Sequence, residues 1–517
     1  MPLILLLLYV QFVLIGLNFP LFDSRELVLY LVWLPLVFAP YIFTRKTIIY
    51  RVITALLLIP VSINFFHIIV TSRPFTVSSL FILLNTNAGE AIEFTDTVHW
   101  WRVLLLVPYV VLVYLSFTRV FVFKGNKQSR WVYAILLLFS LIFIAENIAN
   151  NRFVRKGLNN EIRVWASISS ELDGYKQLQK RTIKKVDAKR KDTQQNEIML
   201  LVIGESLNRN HMALYGYHRN TNPLLSKRND IVVYKNVVSP YTYTLGSILE
   251  IYTNSTINKK LAIQDANTLL DVFYSAGYET YWISNQSPIG VWDNAVFNIA
   301  NTAQHKIFLN QSGNSSMETV NNRSYDELVI APLKKILGKQ SNQFITVHLL
   351  GSHTKYAYRY PATFNCFTGN ATEKEKTINE YDNSVLYNDS IVNTLIETIA
   401  HHANQTKQKV TLFYLSDHGE NVYDYNNEIG HNFTNYIPKC LVEIPYILWS
   451  SDTVTRLTAQ HNTNKASMSD ELFHHVIGLS NVSTTLYDGT LDINNSKFDT
   501  LKTRKHEDGL NYDLKKD

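Results

Sequence analysis

Apolar residues are spread unevenly along the chain: long uninterrupted runs fall before residue 150, and the runs that follow are each about a strand in length. Five apolar segments can be drawn in the first part, at residues 3–17, 27–43, 48–70, 103–123 and 132–148. A helix needs about 20 apolar residues to cross the hydrocarbon of a bilayer, and the third and fourth segments reach that length. The set predicts five membrane spans. The first span is not read as a signal peptide, because it lacks a basic n-region and a small-residue cleavage site and has four more spans behind it.

Beyond residue 196 the pattern changes to short buried strands at residues 197–204 (EIMLLVIG), 279–284 (ETYWIS), 343–350 (QFITVHLL), 412–415 (LFYL) and 442–449. Helical patterns lie between them, at residues 267–276 and 384–400. Strands alternating with helices predict an α/β domain with a mainly parallel sheet. Four of the strands are followed by polar residues: Glu205, Asn285, His353 and the Asp417-His418 pair. A parallel sheet brings such strand exits to one edge, where ligand-bearing loops of open α/β sheets sit.

Charge orients the membrane part. Arg45, Lys46 and Arg51 surround one short loop, and Arg119, Lys124, Lys127 and Arg130 another, which predicts that both are cytoplasmic. The loop with Asp23, Arg25 and Glu26 and the loop with Glu90, Glu93 and Asp96 then lie outside. With five spans and the amino terminus inside, everything after about residue 150 is extracytoplasmic. Arg152, Arg155, Lys156 and Arg163 run against this assignment, but the two cytoplasmic loops agree with each other. Trp100 and Trp101 mark the bilayer interface.

At 517 residues the chain exceeds what one core normally holds. The predicted organisation is a transmembrane domain over residues 1–150, a basic juxtamembrane linker with helical pieces over 151–196, and a soluble domain over 197–517. A net charge of +6 without a recognition motif excludes a nucleic-acid binder. The only cysteines, Cys366 and Cys440, are too few for a disulfide framework or a cysteine zinc cluster, though an oxidising compartment would allow them to pair.

The polar strand exits suggest chemistry. Asp417 and His418 offer a hard oxygen and an imidazole nitrogen, which suits Zn²⁺. A metal held by Glu205, Asp417 and His418 keeps one position open for a substrate or nucleophile, as catalytic zinc requires. The segment SPYTYTLGSILEIYTNS (residues 239–255) is dense in hydroxyls. Thr244 is placed to begin a helix, where free backbone N–H groups cradle phosphate; Thr242 and Ser239 are equally hydroxylated, and residue type alone does not choose among them.

IGESLNRNHMALYGYHRNTNPLL (203–225), TLGS (244–247), HLLGSHTKYAYRYP (348–361), INEYDNSVLYND (378–389), YLSDHGEN (414–421) and, in the outer loop, NTNAGEAIEF (85–94) together resemble the signature blocks of bacterial inner-membrane phosphoethanolamine transferases. These belong to the alkaline phosphatase and sulfatase superfamily, and the resemblance covers essentially the whole chain. It implies that Glu205, Thr244, Asp417 and His418 bind zinc, with Thr244 the nucleophile. One Zn²⁺ is expected, with a second allowed. His353 and His431 match histidines that bind the phosphate group or a second zinc and manage protons, and Asn285 and His348 match further substrate-pocket positions. Glu420 is assigned a role either behind the ligands or in ordering the loop, and His211, His218, His401 and His402 are read as surface.

The implied reaction moves phosphoethanolamine from phosphatidylethanolamine in the outer leaflet to a lipopolysaccharide acceptor, through a covalent threonine intermediate, with the catalytic domain in the periplasm. Lipid A-modifying members carry cysteines flanking the threonine, which are absent here, and a lysine where Ile289 stands. These departures favour a core sugar such as heptose over lipid A. The alternatives are a lipoteichoic-acid-synthase-like glycerolphosphate transferase, which the YGYHRNTNP and GSH blocks disfavour, and a non-catalytic membrane-anchored binding module, which the intact metal set disfavours.

Overall fold

The computed structural model describes residues 2–17, 29, 32–39, 42, 47–71, 75, 100–118, 127–149, 181–262, 265–286, 295–309, 323–339, 341–369, 371–431 and 437–515. Described residues up to 149 form one compact unit and those from 181 onward a second.

In the first unit, α1 (Pro2–Gly16), α2 (Thr47–Thr71), α3 (Leu106–Thr118) and α4 (Lys127–Ala149) are apolar over most of their surface. A helix apolar all round must be covered by protein or by lipid. Leu6, Leu57, Phe65 and Tyr109 are buried among the helices, whereas Phe12, Leu56, Phe66 and Phe139 are exposed. Polar links join neighbours: the Tyr9 hydroxyl donates to Leu105 O at 2.7 Å, and the Ser62 and Tyr109 hydroxyls are 2.7 Å apart. Interhelical hydrogen bonds of this kind contribute about 1 kcal/mol each in a membrane. Among the described residues three helices, Thr47–Val70, Trp100–Thr118 and Trp131–Ala149, are long and apolar enough to cross a bilayer. The first expected span is a shorter helix, and the second, 27–43, is described only at 29, 32–39 and 42. Most of the 72–102 loop and residues 151–180 lie outside the described residues.

The second unit is built on a seven-stranded sheet. Its strands are β1 (Glu197–Gly204), β2 (Ile231–Tyr234), β3 (Glu279–Ser284), β4 (His305–Phe308), β5 (Gln343–His348), β6 (Lys409–Ser416) and β7 (Tyr446–Ser450), in the spatial order β2-β7-β6-β1-β5-β3-β4. β6, β1, β5, β3 and β4 run parallel, and β7 runs antiparallel to both β6 and β2. The α/β fold with a mainly parallel sheet is therefore the one present. β1 is buried at every position, which is why its sequence is a continuous apolar run rather than an alternation. Register decides the rest: Gly204 lies opposite Ser416, Ile203 opposite His348, and His348 opposite Ser284. The exits of β1, β3, β5 and β6 thus share one edge.

Between the strands lie α5 (Thr244–Tyr252), α6 (Leu269–Ser275) and α7 (Glu373–Thr406). α7 has 34 residues, twice the length its apolar pattern predicts. Its first turns are charged and exposed, and the start is set instead by Thr372, whose side chain accepts from Glu375 N. Val385, Val392, Leu395, Ile396 and Ile399 bury its inner face. β2 and β4 are too short to stand out in the sequence, and β7 begins at 446 because Lys439–Leu441 forms a 3-10 turn. Residues 181–190 pack on this unit: Arg181 pairs with Asp271 at 2.5 Å, and Ala188–Arg190 runs antiparallel to Val482–Thr484. Cys366 is exposed, while Cys440 is buried in a small apolar cluster with Ile437 and Leu441.

Candidate metal centre and nucleophile

Glu205, the first residue after β1, and Asp417 and His418, the first after β6, meet at the sheet edge with almost no exposure. His418 Nε2 is 3.3 Å from Glu205 Oε1 and 3.4 Å from Asp417 Oδ2. One ligand atom from each of the three residues falls within 4.8 Å of the others. Asp417 Oδ2 and His418 Nε2 are buried and have no hydrogen-bond partner. An orphaned buried polar atom costs about 1–3 kcal/mol, so both point to a cation as the missing partner.

The remaining atoms of these side chains are committed. Asp417 Oδ1 accepts from His418 N at 2.7 Å and Ser206 N at 3.1 Å. His418 Nδ1 faces Gly419 O at 2.8 Å, so Nδ1 carries the hydrogen and Nε2 turns its lone pair on the centre. Electrostatics agree with a cation site. Burial opposes charge on every member, yet His418 holds Glu205 well below the usual carboxylate range, and Asp417 and Glu205 push His418 upward. Burial and the charge of Glu205 push Asp417 upward. Two carboxylates converging on one imidazole favour positive charge between them, and an O,O,N donor set with an open position fits Zn²⁺.

The backbone is shaped to allow this convergence. Ser206 takes a left-handed φ of 55°, and its hydroxyl donates to Glu205 Oε1 at 2.8 Å. Gly351, with φ of 58°, passes so close that a Cβ there would lie 2.7 Å from both Glu205 N and Glu205 O. Only glycine fits that position.

Geometry separates the three hydroxyls. Thr244 begins α5, and its hydroxyl lies 3.2 Å from Glu205 Oε1 and 3.1 Å from Oε2. Tyr243, the residue before it, makes no side-chain capping bond, so no side chain of its own closes the first turn of backbone N–H groups. Thr242 is buried and donates from both its amide and hydroxyl to Glu507 Oε1 at 3.2 Å. Ser239 is buried against Ser247.

The histidines divide. His431 brings its ring to 4.6 Å from that of His418, between centroids, and His353 lies 6.5 Å from His431. Burial pulls His353 and His348 down to about 4 against the opposing charge of Glu205, so both are neutral at neutral pH. His348 packs edge-on against Trp282, with its Nε2 buried and without a hydrogen-bond partner. Glu420 is fully buried; its carboxylate accepts from Tyr356 at 2.7 Å and lies 3.0 Å from His431 Nδ1.

Asn285 is not brought to the centre. Its side-chain amide donates to Asp326 at 2.9 Å and its carbonyl accepts from Ser324, so both ends are spent inside the fold. The β3 exit instead delivers Gln286, whose Nε2 donates to Glu205 Oε2 and Leu349 O, each at 3.1 Å. Gln286 was missed because the strand pattern fixes where β3 ends but not which following residue turns inward. His211 and His402 are buried rather than at the surface.

A hydroxyl held against a candidate cation site at a helix start, on the carboxyl edge of an α/β sheet, fits an alkaline phosphatase or sulfatase type of domain. A family model described as Sulfatase matches residues 197–482. The chain is 30% identical to phosphoethanolamine transferase EptC of Escherichia coli O18:K1:H7, over 84% of this chain and 80% of that one. The zinc complex of the C-terminal periplasmic domain of EptC from Escherichia coli is 28% identical with a TM-score of 0.57, covering 65% of this chain and 97% of that one. The integral membrane protein lipooligosaccharide phosphoethanolamine transferase A from Neisseria meningitidis shares the fold over 94% of both chains, with a TM-score of 0.65 at 21% identity. The chain belongs to the phosphoethanolamine transferase family of enzymes, within the alkaline phosphatase and sulfatase superfamily.

Proposed function

We propose that the protein takes phosphoethanolamine from phosphatidylethanolamine onto Thr244 and passes it to a lipopolysaccharide acceptor, a core sugar such as heptose being favoured. The observation that carries this is the Thr244 hydroxyl shared between both oxygens of Glu205, beside the unpartnered Asp417 Oδ2 and His418 Nε2. Glu205, Asp417, His418 and Thr244 would hold one Zn²⁺, which when bound supplies Lewis-acid polarisation of the hydroxyl and charge stabilisation at phosphorus.

In the first step the Thr244 Oγ1–P bond forms and the bond from phosphorus to the glycerol oxygen breaks, and the threonine proton ends on the released diacylglycerol. In the second an acceptor oxygen attacks phosphorus, the P–Oγ1 bond breaks, and the acceptor's proton returns to Thr244. Glu205 orients the hydroxyl, the α5 amides face the phosphate, and His353 and His431 serve the proton transfers. A single ion fits best, because the second candidate group, His418, Glu420 and His431, shares His418. His418 Nδ1 is committed to Gly419 O, and Glu420 is already engaged by Tyr356 and His431.

The proposed setting is the bacterial inner membrane, with five spans in residues 1–150, a linker over 151–196 and the catalytic domain over 197–517 in the periplasm. A labelled-donor assay comparing phosphatidylethanolamine with phosphatidylglycerol tests the reading. Diacylglycerol release from phosphatidylethanolamine, with a phosphoethanolamine adduct on Thr244 by mass spectrometry, is expected. Release from phosphatidylglycerol alone would instead establish the glycerolphosphate transferase, and release from neither the binding module.

A further inference from the structure

A short hairpin, Asn421–Val422 paired with Ile429–Gly430, begins directly after Glu420 and ends directly before His431. Its placement therefore sets both residues. Asp424 sits in this hairpin, where its Oδ2 accepts from Val422 N at 3.0 Å, and its two oxygens lie 3.3 and 3.4 Å from His211 Nε2. The other ring nitrogen, His211 Nδ1, is 2.7 Å from Asp382 Oδ1 on α7. Asp382 is fully buried and also accepts from Tyr217 at 3.0 Å and Arg219 at 2.8 Å. The His211 ring lies edge-on to Tyr381, whose hydroxyl donates to Ser206 O and accepts from Asn208 N. Asn208 Nδ2 in turn donates to Glu420 O at 3.1 Å.

An imidazole that meets a carboxylate at each nitrogen must donate from both, which is the protonated form. Burial opposes that charge, but Asp382 and Asp424 outweigh it and push His211 up to about 9. Among the described residues the hydrogen bonds of His211, Asp382 and Asp424 do not reach Glu205, Asp417 or His418.

We propose that His211 is a positioning residue: held between Asp382 and Asp424, it fastens the 421–430 hairpin to α7 and so keeps His431 placed for breakdown of the phosphoethanolamine-threonine intermediate. This rests on the transferase reading above.

The test uses the full-length, zinc-loaded protein in detergent micelles, with a fluorescent phosphatidylethanolamine as sole donor. The burst of diacylglycerol reports attack by Thr244, and the steady state reports breakdown of the intermediate by water. His211→Gln should leave zinc content and the burst within about threefold while slowing the steady state about tenfold, the scale seen when a group orienting a functional side chain is removed. Asp424→Asn keeps an acceptor for Val422 N and lies on the more exposed side of the pair, at 28% side-chain exposure, so it should give the same split without a folding penalty. His431→Asn should slow the steady state, and adding His211→Gln to it should change nothing further, since the two act through one step. Amide exchange in residues 421–430 should rise in His211→Gln whatever the turnover. Parallel loss of burst and steady state, additive effects in the double variant, or unchanged hairpin exchange would each overturn the proposal. Absence of any diacylglycerol release from the unsubstituted protein would count against the transferase reading, and the exchange experiment would still judge the clamp.

Discussion

Asp417→Asn separates ligand from scaffold within a single side chain. Asp417 Oδ1 holds the turn together by accepting from Ser206 N and His418 N, whereas Oδ2 has no hydrogen-bond partner and lies 3.4 Å from His418 Nε2. Asparagine keeps the first function with its carbonyl and places an amide where Oδ2 stood. That amide can donate to His418 Nε2, and one buried negative charge beside Glu205 is gone. Zinc-free protein should therefore be as stable as the unsubstituted protein or more so, by about 1–3 kcal/mol, the cost of an orphaned buried group. The metal response should move the other way. At zinc one hundred times the dissociation constant, a bound ion adds about 2.7 kcal/mol, or about 5 °C in the melting temperature at roughly 2 °C per kcal/mol for a unit of this size. Asp417→Asn should lose that increment at the same zinc concentration. Bound zinc counted by mass spectrometry and melts with and without chelator measure both halves. A variant that retained one zinc per chain and the full thermal gain would remove Asp417 from the ligand set. A zinc-free variant less stable by 3 kcal/mol or more would make the carboxylate a structural group.

Thr244→Ala should fold, retain most of its zinc and form no covalent adduct, while Thr242→Val should still form the adduct but melt lower by about 1–2 kcal/mol, because it removes a hydrogen bond to the charged Glu507; an adduct on Thr242, located by peptide mass spectrometry, would reverse the choice of nucleophile. Gly351→Ala should cost about 2 kcal/mol or more, from a side chain at a φ of 58° and from the clash with Glu205, and should reduce zinc content in proportion, read by the same melts and metal analysis. His211 gives a pH signature. Its folded value is raised from an ordinary 6.5 to about 9, so the stability it contributes is complete below about pH 6.5 and is lost as pH rises through 9. With Asp382 and Asp424 as its acidic neighbours, Tyr217 and Tyr381 as its aromatic ones and Arg219 sharing Asp382, the loss should reach up to about 3 kcal/mol, and His211→Gln should flatten the melting profile between pH 6.5 and 9.5.

What could be read in advance follows from how each element is stabilised. β1, β3, β5 and β6 are buried parallel strands, so their sequences are unbroken apolar runs and their ends are visible. Glu205, Asp417 and His418 were legible because they sit at those ends, and the parallel register does the rest. Residue type alone left Thr244, Thr242 and Ser239 open and only the resemblance picks Thr244, because the partner that takes the Thr242 hydroxyl, Glu507, lies 265 residues away. Asn285 and Gln286 are adjacent in the sequence, and only Asp326, 41 residues later, decides which of them turns away from the centre. His211 read as surface because the partners that bury it, Asp382 and Asp424, are 171 and 213 residues distant. The amino-terminal half of α7 was illegible because no apolar stripe marks it and a cap begins it.

The centre has a fixed side and an adjustable one. On the sheet side, the left-handed Ser206 costs about 1–3 kcal/mol of backbone strain, offset by hydrogen bonds from Ser206 N to Asp417, from its hydroxyl to Glu205, and from Leu207 N to Ser416 at 2.9 Å. Gly351 closes that turn from the neighbouring strand exit. Each of these contacts belongs to the strand-exit turns of β1, β5 and β6, and moving Glu205, Asp417 or His418 would break the others. The Thr244 side is different. Thr244 stands on a nine-residue helix whose entry is held by Glu507 on Thr242 and by Tyr241 packed where a Cβ on Gly246 would be. Hydrogen bonds and an aromatic ring hold this segment. On the proposed reading, metal chemistry would be set by the sheet and the approach of an acceptor to Thr244 by the α5 entry. Substitutions in that entry should therefore alter turnover on an acceptor while leaving zinc content unchanged, and a loss of zinc from them would refute the division.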